Sequence, residues 1–92
     1  MMTATIYKIY DIDNPNNFYI GYTYRNNIND KYKYYYEKYY RYLIEPKIIS
    51  YHPIFNILCK NVDFIILEKI KTNDIKKIKN IIYNYKYDRV SF

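Results

Sequence analysis

The stretch Thr5–Tyr22, TIYKIYDIDNPNNFYIGY, decides the fold, because both of its flanks read as strands and its centre reads as a turn. Thr5–Ile12 alternates and is rich in β-branched and aromatic residues, which suit a pleated, half-buried surface. Asp13-Asn14-Pro15-Asn16-Asn17 gathers residues that bend or cap a backbone. Phe18–Tyr22 then returns as a second strand, and a loop of this length is common in hairpins.

Downstream the period changes. From Asn27, the residues Ile28, Tyr32, Tyr35, Tyr39 and Tyr42 recur at three- and four-residue steps and form one stripe on a helix. Asn26 or Asn27 caps this helix, Asp30 suits its N-terminal dipole, and Pro46 stops it. Pro53 can open a short helix across His52–Leu58. Asp63–Lys69 reads as a third strand, short, apolar and central. Thr72-Asn73-Asp74 offers caps for a last helix whose apolar face is Ile75, Ile78, Ile82 and Tyr85. The expected fold class is therefore α/β, with order β-β-α-(α)-β-α and helices against a three-stranded antiparallel or mixed sheet.

Ninety-two residues are one domain's worth of chain, so residues 1–92 are read as a single unit. Lys plus Arg number 15 against 9 Asp plus Glu, a net charge of +6. With 22% aromatic residues the chain is unlike a disordered tail. Its one cysteine, Cys59, excludes a disulfide scaffold and a zinc site built on Cys pairs, and on an apolar helix face it reads as a small core residue. The longest apolar run, Phe64–Leu67, is far short of a bilayer span, and no secretory leader opens the sequence. An intracellular location, cytoplasmic or nuclear, is the expectation.

Ile, Tyr, Lys and Asn supply 56 of the 92 residues, and all four use A/T-rich codons. Under such a bias Ile can stand for Val or Leu, Lys for Arg, and Tyr for Phe, without special meaning. The same bias hints at a virus or mobile element as the source. A residue that resists the bias is informative, and the sole glycine, Gly21, is one.

Thr5-Ile6-Tyr7 is followed, after eleven intervening residues, by Tyr19-Ile20-Gly21. This pairing resembles the signature of the GIY-YIG nuclease superfamily, which includes homing endonucleases and an excision-repair nuclease subunit. The second triplet is intact, whereas Thr5 replaces the first glycine. The order of elements from Thr3 to Tyr87, including the run Ile66-Leu67-Glu68, is also similar. The resemblance implies that Tyr7 and Tyr19 project into one cleft, where a phenol takes a proton from water if a cation lowers its pKa, or orients that water or a phosphate. It also implies a structural role for Gly21, letting backbone approach a neighbour.

Two further groups complete the chemistry that the resemblance implies. An Arg on the first helix binds the scissile phosphate; the matching positions here are Asn29, Asp30 and Lys31, and no Arg lies between Arg25 and Arg41. Lys31 is the best substitute, keeping the charge but losing the bidentate fork. A Glu on the last helix holds one divalent metal; Lys79, or else Asn80, stands there, and the helix has no carboxylate between Asp74 and Asp88. An ammonium at that point repels Mg²⁺ or Mn²⁺, so no metal site and no cofactor are expected.

The resemblance, with these departures from it, thus implies a degenerate nuclease-like domain that binds nucleic-acid phosphates, with DNA the expected partner. Lys31 and Lys79 are its cleft cations, and Lys33, Lys38, Arg41 and Lys76 add backbone contacts, with Lys77 beside them. Two alternatives stay open. One is an active endonuclease using Tyr7, Tyr19 and Lys31 with Mg²⁺ or Mn²⁺. The other is a protein-interaction module whose Tyr-rich helix (Tyr32 to Tyr42) forms a homodimer or docks a host protein. His52, the sole histidine, reads as a loop or capping residue in preference to a proton-transfer group.

Overall fold

The computed structural model describes residues 2–48 and 50–87. They form β1 (Thr3–Asp11), β2 (Phe18–Thr23), α1 (Ile28–Ile44), α2 (Phe55–Leu58), β3 (Val62–Lys71) and α3 (Ile75–Tyr87). The fold is a small α/β domain with a wholly antiparallel three-stranded sheet of order β2-β1-β3.

The hairpin forms where the turn-forming residues stand. The Asp11 carboxylate accepts from the Asp13 N–H at 2.9 Å, and Asp11 N–H donates to the Asn17 carbonyl at 3.0 Å, which closes the loop. That closure sets the register, placing Tyr7 opposite Gly21 and Ile9 opposite Tyr19. Tyr7 and Tyr19 are therefore diagonal neighbours on one face of the sheet.

β1 is the central strand, buried on both faces. Tyr7 and Ile9 join Tyr35 of α1 and Ile54, Phe55, Ile57 and Leu58 around α2 in one core. Ala4 and Ile6 point the opposite way. α3 covers that second face: Glu68 pairs with Ile6, and its carboxylate accepts the Tyr85 hydroxyl at 2.7 Å. The predicted stripe of α1 is realised, with Ile28, Tyr32, Tyr39 and Tyr42 packed around the buried Tyr35. Asn27 caps α1, its side chain accepting from Asn29 N–H. Asp74 caps α3, accepting from the N–H groups of Lys76 and Lys77.

Four expectations are corrected. β3 is an edge strand of ten residues and not a short central one. The apolar run Phe64–Leu67 suggested full burial, yet Ile65 and Ile66 are exposed, and Asp63, Glu68, Lys69 and Lys71 give the strand the charges typical of an edge. The pairing slips between Ile6 and Tyr7, leaving Leu67 as the extra residue of a bulge. Pro53 and Ile54 form a turn, so the short helix begins only at Phe55. Cys59 is exposed because it follows the last residue of a four-residue helix, and its Sγ donates to the Asn56 carbonyl. On α3, Ile78 is fully buried and Ile81 and Ile82 are half-buried, while Ile75 and Tyr85 are exposed at the ends. The middle of that helix is its most buried part, and its last turn meets the sheet through Tyr85 and Glu68. Among the described residues no helix is long and apolar enough to cross a membrane.

Candidate nucleic-acid interface

β2 pairs with β1 on one side only, and a cleft of about 680 Å³ wraps its free edge, reaching α1 on one face of the sheet and α3 on the other. On the α1 side the cleft is lined by Tyr19, Gly21, Arg25, Lys31 and Tyr35, and on the α3 side by Tyr22, Lys79, Ile82 and Lys86. Four cations thus converge from three separated segments, with no carboxylate among the described lining residues. The local reasons are simple. The Thr23 hydroxyl accepts from Arg25 N–H at 3.1 Å, fixing the exit from β2 that carries Arg25. Lys31 and Tyr35 share a helix face at four-residue spacing, and Lys79, Ile82 and Lys86 share another at three and seven.

Tyr7 lies beneath this cleft without lining it. Its ring is fully buried, and its hydroxyl donates to that of Tyr35 at 3.3 Å. Gly21 makes this possible. A Cβ on Gly21 would stand 2.7 Å from the Tyr7 hydroxyl oxygen and 2.9 Å from Tyr19 Cε1. Its backbone is not in the left-handed region, so the glycine is needed for close approach alone. Burial pushes the Tyr7, Tyr19 and Tyr35 hydroxyls well above the usual phenol range. The phenols therefore remain protonated and serve as hydrogen-bond donors, and the cation-lowered phenol that could act as a base is not what this geometry builds.

Lys31 is half-buried, with its ammonium 5.2 Å from the Tyr34 ring centre and 5.1 Å from that of Tyr35. Burial holds its pKa below the usual value; Tyr34 opposes this, and Arg25 and Lys38 reinforce it. Tyr34 has the reverse environment: it is exposed, and a hydrogen bond with Lys38 leads in drawing its hydroxyl below the phenol range. Lys38 and Arg41 line an adjoining hollow with Tyr34, Glu37 and Tyr40. Lys33 and Lys76 are exposed and line neither; Lys33 falls about 200° around the helix from Lys31.

His52 is closer to the cleft than its sequence position suggested. Its ring packs 5.6 Å from Tyr19 and 5.5 Å from Tyr35. Nδ1 accepts from Ile54 N–H at 3.1 Å, so the neutral ring carries its proton on Nε2. Burial lowers its pKa, and Lys31 and Lys38 lower it further. The capping reading holds, and the same ring walls the tyrosine cluster. Arg25, Tyr35 and Lys86 were missed as site residues. The available signals were adjacency to the end of β2 for Arg25, and helix-face spacing from Lys31 and Lys79 for the other two.

The donor set does not fit a divalent cation. Among the described residues no three His, Cys, Asp or Glu side chains converge. Of the carboxylates that precede Lys79 on β3 and at the start of α3, Asp74 caps α3 and Glu68 accepts from Tyr85. What the cleft offers is positive charge, phenol donors and aromatic faces. The chain matches no family model, no curated protein and no solved structure.

Proposed function

We propose that this chain is a GIY-YIG-like domain whose cleft holds the phosphates of a nucleic acid without hydrolysing them. The observation that carries the reading is the convergence of Arg25, Lys31, Lys79 and Lys86 over β2 with no carboxylate among the described lining residues. The Arg25 guanidinium and the ammoniums attract phosphate oxygens, and the Tyr19 hydroxyl donates to them. A phosphodiester there meets charge complementarity but no metal ligand and no phenolate base. Lys79 stands where the resemblance implies a metal-binding Glu, and as a cleft cation it favours the bound anion over bound Mg²⁺.

Gel-shift titrations with DNA across a salt series test the binding. Four neutralised phosphates give a slope of log K against log salt of about −3.6 on duplex and about −2.8 on single strands; a flat response would refute it. Plasmid nicking with Mg²⁺ and Mn²⁺ tests the chemistry. The native protein is expected to leave plasmid intact, and nicking by it would restore the endonuclease alternative.

A second reading, a self-association module, is favoured by the apolar C-terminal end of α1, where Leu43, Ile44 and Ile48 are all exposed. Light scattering behind size exclusion tests it: a monomer across the accessible concentrations would reject it.

A further inference from the structure

Building on the phosphate-binding reading, we propose that the cleft takes a single strand of nucleic acid, with an unstacked base laid against Tyr24 and Tyr22. The two rings meet edge to face, their centres 5.9 Å apart and their planes at 82°, and both line the cleft. Neither belongs to the tyrosine core under α1. Tyr22 pairs with Ile6 and so stands on the α3 face of the sheet, and Tyr24 follows the end of β2. Ile82 and Met2 complete an apolar wall around them.

Cations flank this wall on both sides, Arg25 and Lys31 toward α1 and Lys79 and Lys86 toward α3. An aromatic platform between two positive banks is the arrangement that holds a strand by its backbone while a base stacks on a ring. A duplex keeps its base faces stacked inside, so only its phosphates can use the banks and the aromatic wall contributes nothing. A single strand uses both. An acidic peptide likewise engages the charge but has no ring to lay on Tyr24.

Fluorescence anisotropy with labelled oligothymidylate, its RNA counterpart and a duplex of equal length tests this across salt. The single strands are expected to bind roughly ten-fold or more tighter than the duplex. Tyr24→Leu should erase that margin by weakening single-strand binding more than duplex binding, whereas Tyr24→Phe, which keeps the ring, should retain it. Tyr24 lies outside the strand ladder, and circular dichroism confirms that each variant is folded before it is scored.

If duplex binds as tightly as single strand and Tyr24→Leu changes neither, or changes both alike, the base platform is refuted and the phosphate-binding reading stands. Competition by polyglutamate as effective as that by oligothymidylate likewise overturns the base contact. Loss of salt-sensitive binding to every nucleic acid overturns both readings.

Discussion

Gly21→Ala is the sharpest test of how the hairpin and the cleft are built. A methyl group at Gly21 would stand 2.7 Å from the Tyr7 hydroxyl oxygen and 2.9 Å from both Tyr7 Cζ and Tyr19 Cε1, where ordinary contact begins at 3.4 Å. The Tyr19 ring is half-buried and can swing away. The Tyr7 ring is 1% exposed and is tied to Tyr35 by its hydroxyl, so it cannot leave without moving α1. Overpacking of this kind costs about 1–3 kcal/mol. Replacing a strand glycine by alanine returns about 0.5–1 kcal/mol of backbone entropy. The net expectation is a loss of up to about 2.5 kcal/mol, centred near 1, and for a domain this size each kcal/mol lowers Tm by roughly 4–8 °C.

Urea unfolding followed by circular dichroism measures the loss as a lower midpoint at unchanged slope. The background variant Tyr7→Phe removes the nearest atom, the one at 2.7 Å, and leaves Cζ at 2.9 Å. Gly21→Ala should therefore cost about 0.5–1 kcal/mol less in that background, a coupling that the double-mutant cycle reads directly. A stabilising Gly21→Ala would refute the close approach. Equal cost in both backgrounds would place the strain somewhere other than on Tyr7.

Two further perturbations follow from the same geometry. His52 has a depressed pKa in the folded state, so the unfolded chain binds more protons as pH falls below the ordinary histidine value of about 6.5. Its contribution to stability is complete above that value and is lost on acidification toward the folded pKa. His52→Asn keeps an acceptor for Ile54 N–H and removes the titration, so urea midpoints of the variant should fall less than wild type between pH 7.5 and pH 5; identical pH profiles would reject the assignment. Asp74→Ala leaves the N–H groups of Lys76 and Lys77 without their cap and should cost about 1 kcal/mol, read as a lower urea midpoint; an unchanged midpoint would show that water replaces the carboxylate without loss.

Much of the fold is legible in the chain where local and tertiary preferences agree. The hairpin was readable because strand formers flank a run of turn formers, and α1 because its apolar stripe, cap and stop all coincide. β3 misled because four apolar residues in a row report hydrophobicity and not strand order. Which strand is central depends on both faces being covered, and that is decided by where α3 crosses the sheet. Cys59 misled because helix length was misjudged: four residues have no complete face, and the position that continues the pattern lies beyond the C-terminus. In the cleft, Tyr19, Gly21, Lys31 and Lys79 were found through the paired triplets and the spacing that follows them. Arg25 and Lys86 complete the set, and Lys33 and Lys76 fall outside it.

Codon bias accounts for any one lysine in this chain, Lys79 included. It does not address the electrostatic consequence of where the cations meet. Arg25 and Lys31 arrive from the end of β2 and the first turn of α1, while Lys79 and Lys86 arrive from two turns of α3. Like charges gathered around one cleft repel, and the pKa of Lys31, lowered first by burial, is lowered further by Arg25 and Lys38. An anion in the cleft would relieve that repulsion, and a polyanion whose charges repeat along a chain would reach both banks at once. The functional reading therefore rests on convergence, a property that net charge cannot express: the same +6 spread evenly over the surface would carry no argument for a site.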